Sequence, residues 1–173
     1  VLPYHIANII QNIGQMLETE EEIRRWFVEL GEEKELMELL LEWLMLNVKD
    51  DFKFIIKDFQ ANRRDSEAII EEIRNLPPED LLSMERIMAI LGYEGGEESL
   101  DTVLPSRGYR VLSKIPRIPM TVIERLVEEF GTLEGILQAD EEELMELKGI
   151  WEVRARAIKS GLMRLKNSLL LER

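Results

Sequence analysis

No cysteine occurs among the 173 residues, and the only histidine is His5. The first absence excludes disulfides and thiolate catalysis, and the second leaves no material for a histidine-based metal cluster or a Ser-His-Asp triad. A reducing, cytoplasmic setting is the expectation, with no cofactor and no metal for this chain. Proline (6) and glycine (10) are both sparse, which argues against a disordered or fibrous polypeptide. No apolar run approaches the roughly 20 residues that cross a bilayer. The opening VLPYHIANII also lacks the basic n-region and cleavage pattern of a secretory signal, so no membrane partner is expected. It begins at Val rather than Met, which reads as a piece of a longer polypeptide.

Hydrophobic residues make up 45% and charged residues 33%, the balance of a soluble globular protein of one ordinary or two small domains. The net charge of −13 is unevenly spread. Residues 1–103 hold 24 Asp and Glu against 10 Lys and Arg, whereas residues 104–173 hold 11 against 12. Acidity repels phosphate, but only the first part is acidic.

From Ile6 to Gln60 apolar residues recur three and four apart, the helical period: Ile6, Ile9, Ile10, Ile13, then Ile23, Trp26, Phe27, Leu30. Thr19 before Glu20–Glu22 reads as an N-cap with an acidic first turn, and Gly31 as a stop. A helix from Glu32 to about Asn47 follows. Its stretch Leu36–Leu46 is apolar around most of its circumference, which predicts a central place in a bundle or contact with another subunit. Trp26, Trp43 and the helically spaced methionines read as core. The acidic runs at Glu18–Glu22 and Glu141–Glu143 read as dipole-favoured helix starts rather than metal ligands. Phe52, Ile55, Ile56 and Phe59 share a face, DSEAIIEEIRNL forms a further helix, and Pro77-Pro78 opens a short one carrying Leu81, Leu82, Ile87, Met88 and Leu91.

The Gly-, Pro- and Ser-containing stretch GYEGGEESLDTVLPSRG is the linker candidate, giving domains 1–103 and 104–173. Beyond it, YRVLSKIPRIPMTVIERLVEEF and EEELMELKGIWEVRARAIKSGL share an outline of helix, turn, helix, which indicates internal duplication. Gly131 stops one helix between them and Asp140 caps the next. Helix starts expose amide hydrogens that nothing in the helix accepts, and the helix dipole adds partial positive charge. Two such turns can each hold a sugar-phosphate strand without reading bases.

The pattern filled by Leu144, Leu147, Gly149, Ile150, Val153, Ala155 and Ile158 resembles a helix-hairpin-helix DNA-binding motif. The longer RGYRVLSKIPRIPMTVIERLVEEFGTLEGIL, followed by GIWEVRARAIKSGLMRL, resembles the C-terminal domain of the DisA family of DNA integrity scanning proteins. LLSMERIMAILGY and the helical stretch Ile23–Phe59 resemble that family's spine. The resemblance implies an all-α chain, a helical linker bundle (1–103) followed by a tandem helix-hairpin-helix domain (104–173). It also implies octameric assembly in the parent protein and binding of branched DNA such as Holliday junctions, which suppresses cyclic di-AMP synthesis by an N-terminal diadenylate cyclase using ATP and a divalent metal. The cyclase motifs Asp-Gly-Ala and Arg-His-Arg are absent here, so the chain is expected not to be an enzyme.

The candidate DNA-binding residues are Lys114, Arg117 and Thr121 at the first turn and Lys148, Gly149, Ile150, Trp151, Arg154, Arg156 and Lys159 at the second. Arg156, Lys159 and Lys166 fall opposite the apolar side of the last helix, an arrangement open either to phosphate or to an ordinary solvated face. Arg154 falls near the apolar side, where it can pair with a carboxylate or reach DNA. Thr121 offers a phosphate ligand or a cap. Arg107 and Arg110 offer phosphate ligands or partners for the acidic domain. The turns depart from the motif's Gly-hydrophobic-Gly, with Trp151 at the second glycine of one, and Arg117 and Pro119 at both glycines of the other. Trp151 resists a left-handed backbone but can stack on a base or sugar. The expected function is structure-selective, sequence-independent binding of branched or duplex DNA; the alternative is an oligomerisation scaffold that positions a cyclase domain.

Overall fold

The computed structural model describes residues 1–29, 33–93 and 103–171. Every regular element among them is helical, and the chain divides into two compact units, Val1–Leu104 and Pro105–Arg173. No helix among the described residues is long and apolar enough to cross a membrane.

Unit one is built on two long helices, α1 (Pro3–Trp26) and α2 (Lys34–Phe59), with the shorter α3 (Ser66–Arg74), α4 (Pro78–Leu81) and α5 (Met84–Ile90) packed beside them. Ile6, Ile10, Ile13 and Leu17 lie one turn apart on α1 and meet Phe52, Ile55 and Ile56 of α2, Ile69 and Ile73 of α3, and Ile87 and Leu91 around α5. Each fully buried side chain of this kind contributes about 1.5–3 kcal/mol. Asp65 caps α3 through the Ala68 amide and Ser83 caps α5 through the Arg86 amide. The backbone N–H of Leu104 donates to the Val1 carbonyl at 2.7 Å, tying the end of the unit to its start.

The structure departs from three expectations. Thr19 does not cap a helix: α1 runs through it, and its hydroxyl donates to the Gln15 carbonyl one turn back, the usual way a mid-helix threonine satisfies itself. The residues from Leu81 to Leu91 form two helices, because Ser83 captures the Arg86 amide and starts a new one. Trp26 and Trp43 are not core; they are 69% and 71% exposed. Gly31 lies outside the described residues. In the apolar part of α2 only Leu41 and Met45 are buried, while Leu36, Leu39, Leu40, Trp43, Leu44 and Leu46 are exposed. At 100° per residue five of these fall on the arc away from Leu41 and Met45 and Leu44 flanks the buried stripe, so this part of α2 is apolar on both faces and packed on one.

Glu20, only 3% exposed, ties α1 to α2. Its Oε1 accepts from Lys49 Nζ at 2.8 Å and from Arg24 Nη2 at 2.9 Å, and Arg24 also reaches Glu42 at 2.7 Å. Burial pushes the Glu20 carboxyl up, but the hydrogen bonds from Lys49 and Arg24, with their charges, pull it below its ordinary 4.5.

Unit two contains α6 (Tyr109–Ser113), α7 (Met120–Phe130), α8 (Leu133–Gln138), α9 (Glu141–Met145) and α10 (Glu152–Leu171). Leu112, Ile123, Leu126, Ile136, Leu144, Ala155 and Ile158 are its fully buried centre. Gly131, at φ 71°, ends α7. Asp140 starts α9 in a reciprocal capping box with Glu143. The pair α9 and α10 repeats α6 and α7 at a constant offset of 32 residues: 109 to 141, 113 to 145, 120 to 152.

A folded-state carboxyl pKa below the unfolded value stabilises above the unfolded value and loses that contribution as pH falls through the folded one. Glu20→Gln should therefore cost about 1–2 kcal/mol near pH 7, less than a fully buried pair because Arg24 and Lys49 are half-exposed. In thermal melts the difference between variant and parent should shrink below pH 4.5. A difference that is constant from pH 7 to pH 3 would contradict this.

Candidate functional site

Both repeats of unit two reverse the chain with one left-handed residue, Arg117 at φ 66° and Gly149 at φ 91°, again 32 positions apart. Glycine takes this conformation without steric cost, whereas arginine pays about 1 kcal/mol. Trp151 is not among the positive-φ residues, so the backbone demand expected at the second motif glycine does not arise.

The helices that follow open identically. In α7 the amides of Val122 and Ile123 both donate to the Pro119 carbonyl, at 2.9 and 3.2 Å. In α10 the amides of Arg154 and Ala155 both donate to the Trp151 carbonyl, at 2.8 and 2.9 Å. Upstream of these bonds, Met120 and Thr121 in one repeat and Glu152 and Val153 in the other have no intrahelical acceptor. Trp151 adds a further amide, which Pro119 lacks. No side chain caps α7. The flanking side chains are open to solvent: Thr121 is exposed, and Trp151 and Val153 are 77% and 81% exposed. The Glu152 carboxylate, at the first position of α10, pairs along the helix with Arg156 at 2.6 Å.

The second turn sits against α7. A Cβ placed on Gly149 would lie 3.2 Å from Arg125 Nη1 and 4.0 Å from Val122 Cγ2, so this turn lies one helical turn from the opening of α7.

Of the residues expected at the site, Lys114, Arg117, Thr121, Lys148, Trp151 and Arg156 are exposed around the two turns. Thr121 is not the cap, since Pro119 holds that position. Three are engaged inside the unit. Ile150 is buried, and its amide donates to the Leu147 carbonyl at 3.0 Å, so it shapes the turn and offers no donor outward. Arg154, expected to pair with a carboxylate or DNA, donates to the Gly149 carbonyl. Lys159, expected on an open cationic face, donates to the Leu137 and Ala139 carbonyls at 2.7 and 2.5 Å, closing the C-terminal end of α8. Sequence reading missed Arg125, whose Nη1 donates to the Lys148 carbonyl at 2.6 Å. A lone arginine in an amphipathic helix carries no sign that it bridges 23 residues.

The Lys159 ammonium satisfies two carbonyls that no helix amide reaches. Lys159→Met should lower unfolding free energy by about 1–2 kcal/mol in urea with little change in slope, the scale of hydrogen bonds to a charged donor that is partly exposed. A variant as stable as the parent would mean that water replaces both bonds.

Residues 1–100 match the family model described as the DisA bacterial checkpoint controller linker region. The chain is 44% identical over 163 residues to the DNA integrity scanning protein DisA of Carboxydothermus hydrogenoformans, covering 93% of itself and 46% of that relative. It is 38% identical over 170 residues to the DisA of Clostridioides difficile, covering 98% of itself and 48% of the relative. With the DisA of Acetivibrio thermocellus it shares 41% identity over 169 residues, covering 96% and 47%. The chain thus spans about half the length of the curated relatives it matches. It belongs to the DisA family and corresponds to that family's helical linker and C-terminal part.

Proposed function

We propose that unit two binds the sugar-phosphate backbone of DNA, branched or duplex, without reading sequence. The observation that carries this reading is the exact 32-residue repetition of one device: a left-handed reversal at 117 and 149, then a helix opening with unpaired amides at 120 and 152. Each opening is a receptor for a phosphate oxygen. Lys114 and Arg117 lie at the first, Lys148 and Arg156 near the second, and Trp151 projects where an unstacked base or a sugar face can meet it. The near-neutral charge of residues 104–173 beside an acidic first part gives a moderate, salt-sensitive affinity that rises when several copies grip one junction. Under this reading the chain is not itself an enzyme, and diadenylate cyclase activity with ATP and a divalent metal belongs to the parent protein.

A second role, assembly, is favoured by the outward apolar face of α2, with Leu36, Leu40, Trp43 and Leu44 exposed. Contiguous exposed apolar surface of this kind marks contact sites. Under this reading the first part brings copies together and the second part grips DNA.

Electrophoretic shifts with four-way junction, duplex and single strand at matched salt test the first role. Junction affinity should fall steeply as salt rises; binding indifferent to salt would contradict the reading. Arg117→Gly keeps the left-handed turn and removes one cation. It should weaken junction binding about 3–10-fold and reduce the slope of log affinity on log salt by about 1, with no loss of thermal stability. For the second role, Leu40→Gln with Trp43→Gln should lower oligomer mass in light scattering while junction binding by the monomer persists. An unchanged mass would leave the α2 face without this role.

A further inference from the structure

The two turns share a backbone and differ in what stands behind it. In the second, two consecutive carbonyls at the reversal are each taken by a guanidinium: Lys148 O by Arg125 at 2.6 Å, and Gly149 O by Arg154. Carbonyl oxygens at a reversal carry the partial negative charge that an incoming phosphate would meet, so both bonds turn the local field toward anion acceptance. Among the described residues the first turn has neither. At the 32-residue offset, Val122 corresponds to Arg154 and Ala157 to Arg125, and neither side chain can donate.

Arg125 reaches the turn from α7, the second helix of the other repeat. Its guanidinium fills the space that a side chain at 149 would need, 3.2 Å from the position of a Cβ there. Gly149 thereby serves two ends, the left-handed φ of 91° and room for this strut. The reverse contact, between the first turn and α10, is apolar: Gly161 lies against Ile115, whose Cγ2 is 2.8 Å from where a Cβ would sit.

We infer that Arg125 is a positioning residue that fixes the second turn against α7, sets the separation of the two helix openings and makes the second turn the stronger phosphate receptor. The inference rests on the DNA-binding reading above, and its mechanism differs from that of Lys148 or Arg117. Arg125 acts through the Lys148 main-chain carbonyl, so its loss should cost geometry and leave the number of phosphate contacts unchanged.

The test compares Arg125→Met and Arg125→Lys with the parent in the full chain. Arg125→Met should melt as one folded species and bind a four-way junction about tenfold more weakly, on the scale of one charge-assisted hydrogen bond, with an unchanged salt slope. Arg125→Lys, whose ammonium keeps a charged donor on a shorter, non-planar head, should recover part of the loss. Amide exchange at Gly149 and Ile150 should quicken in Arg125→Met while Leu126 keeps parental protection. Binding within twofold of the parent, or a salt slope reduced by about 1, would overturn the inference, the latter because Arg125 would then be a phosphate ligand itself. Unchanged exchange at Gly149 and Ile150 overturns it even without DNA. A parent chain that binds no DNA defeats the functional reading, and the exchange measurement still decides whether Arg125 holds the turn.

Discussion

A helix cannot satisfy its own first amides, and unit two is organised so that two helices present theirs outward. The constraint begins with a single backbone angle. A left-handed residue at 117 or 149 reverses the chain within a few residues, and the next helix starts before a capping side chain can be supplied. The core does the rest: Leu112, Leu144 and Ile150 are buried and hold the reversal from beneath, while Trp151 and Val153 are left above it. Conformation, burial and donor geometry are therefore one arrangement, and the cations around it only modulate its strength.

The same logic reconciles an acidic chain with the anionic ligand proposed for it. Coulomb attraction from a few exposed Lys and Arg is screened within about 10 Å at ordinary ionic strength, so the local distribution of charge matters more than the net charge. Several cations of unit two are also committed to main-chain carbonyls: Lys159 at the end of α8, Arg125 and Arg154 behind the second turn. They raise the local positive potential while fixing the geometry that presents the amides.

The sequence made the all-helical class, the duplicated outline and the caps at Gly131 and Asp140 legible, because each rests on local rules of period, capping or glycine conformation. It misled where a local rule met a tertiary alternative. Thr19 carries a cap's signature, yet packing of Leu17 and Glu20 keeps α1 intact through it. Trp26 and Trp43 have core-like spacing and lie outside, because periodicity marks an apolar face and does not say whether another element covers it. The cations divided by reach: a helical wheel gives direction and no length, so it could not distinguish exposed Arg156 from Lys159, whose ammonium meets two carbonyls about twenty residues earlier.

The length of α2 has a consequence for motion. Its 26 residues make a rod of about 39 Å, and its inner half is clamped by Phe52, Ile55 and Ile56 while its outer half is pinned mainly through Leu41 and Met45. Local opening costs least where few apolar contacts must be broken. One unbroken helix therefore spans two regimes, a firm root and a tip that opens at lower cost and on a faster clock.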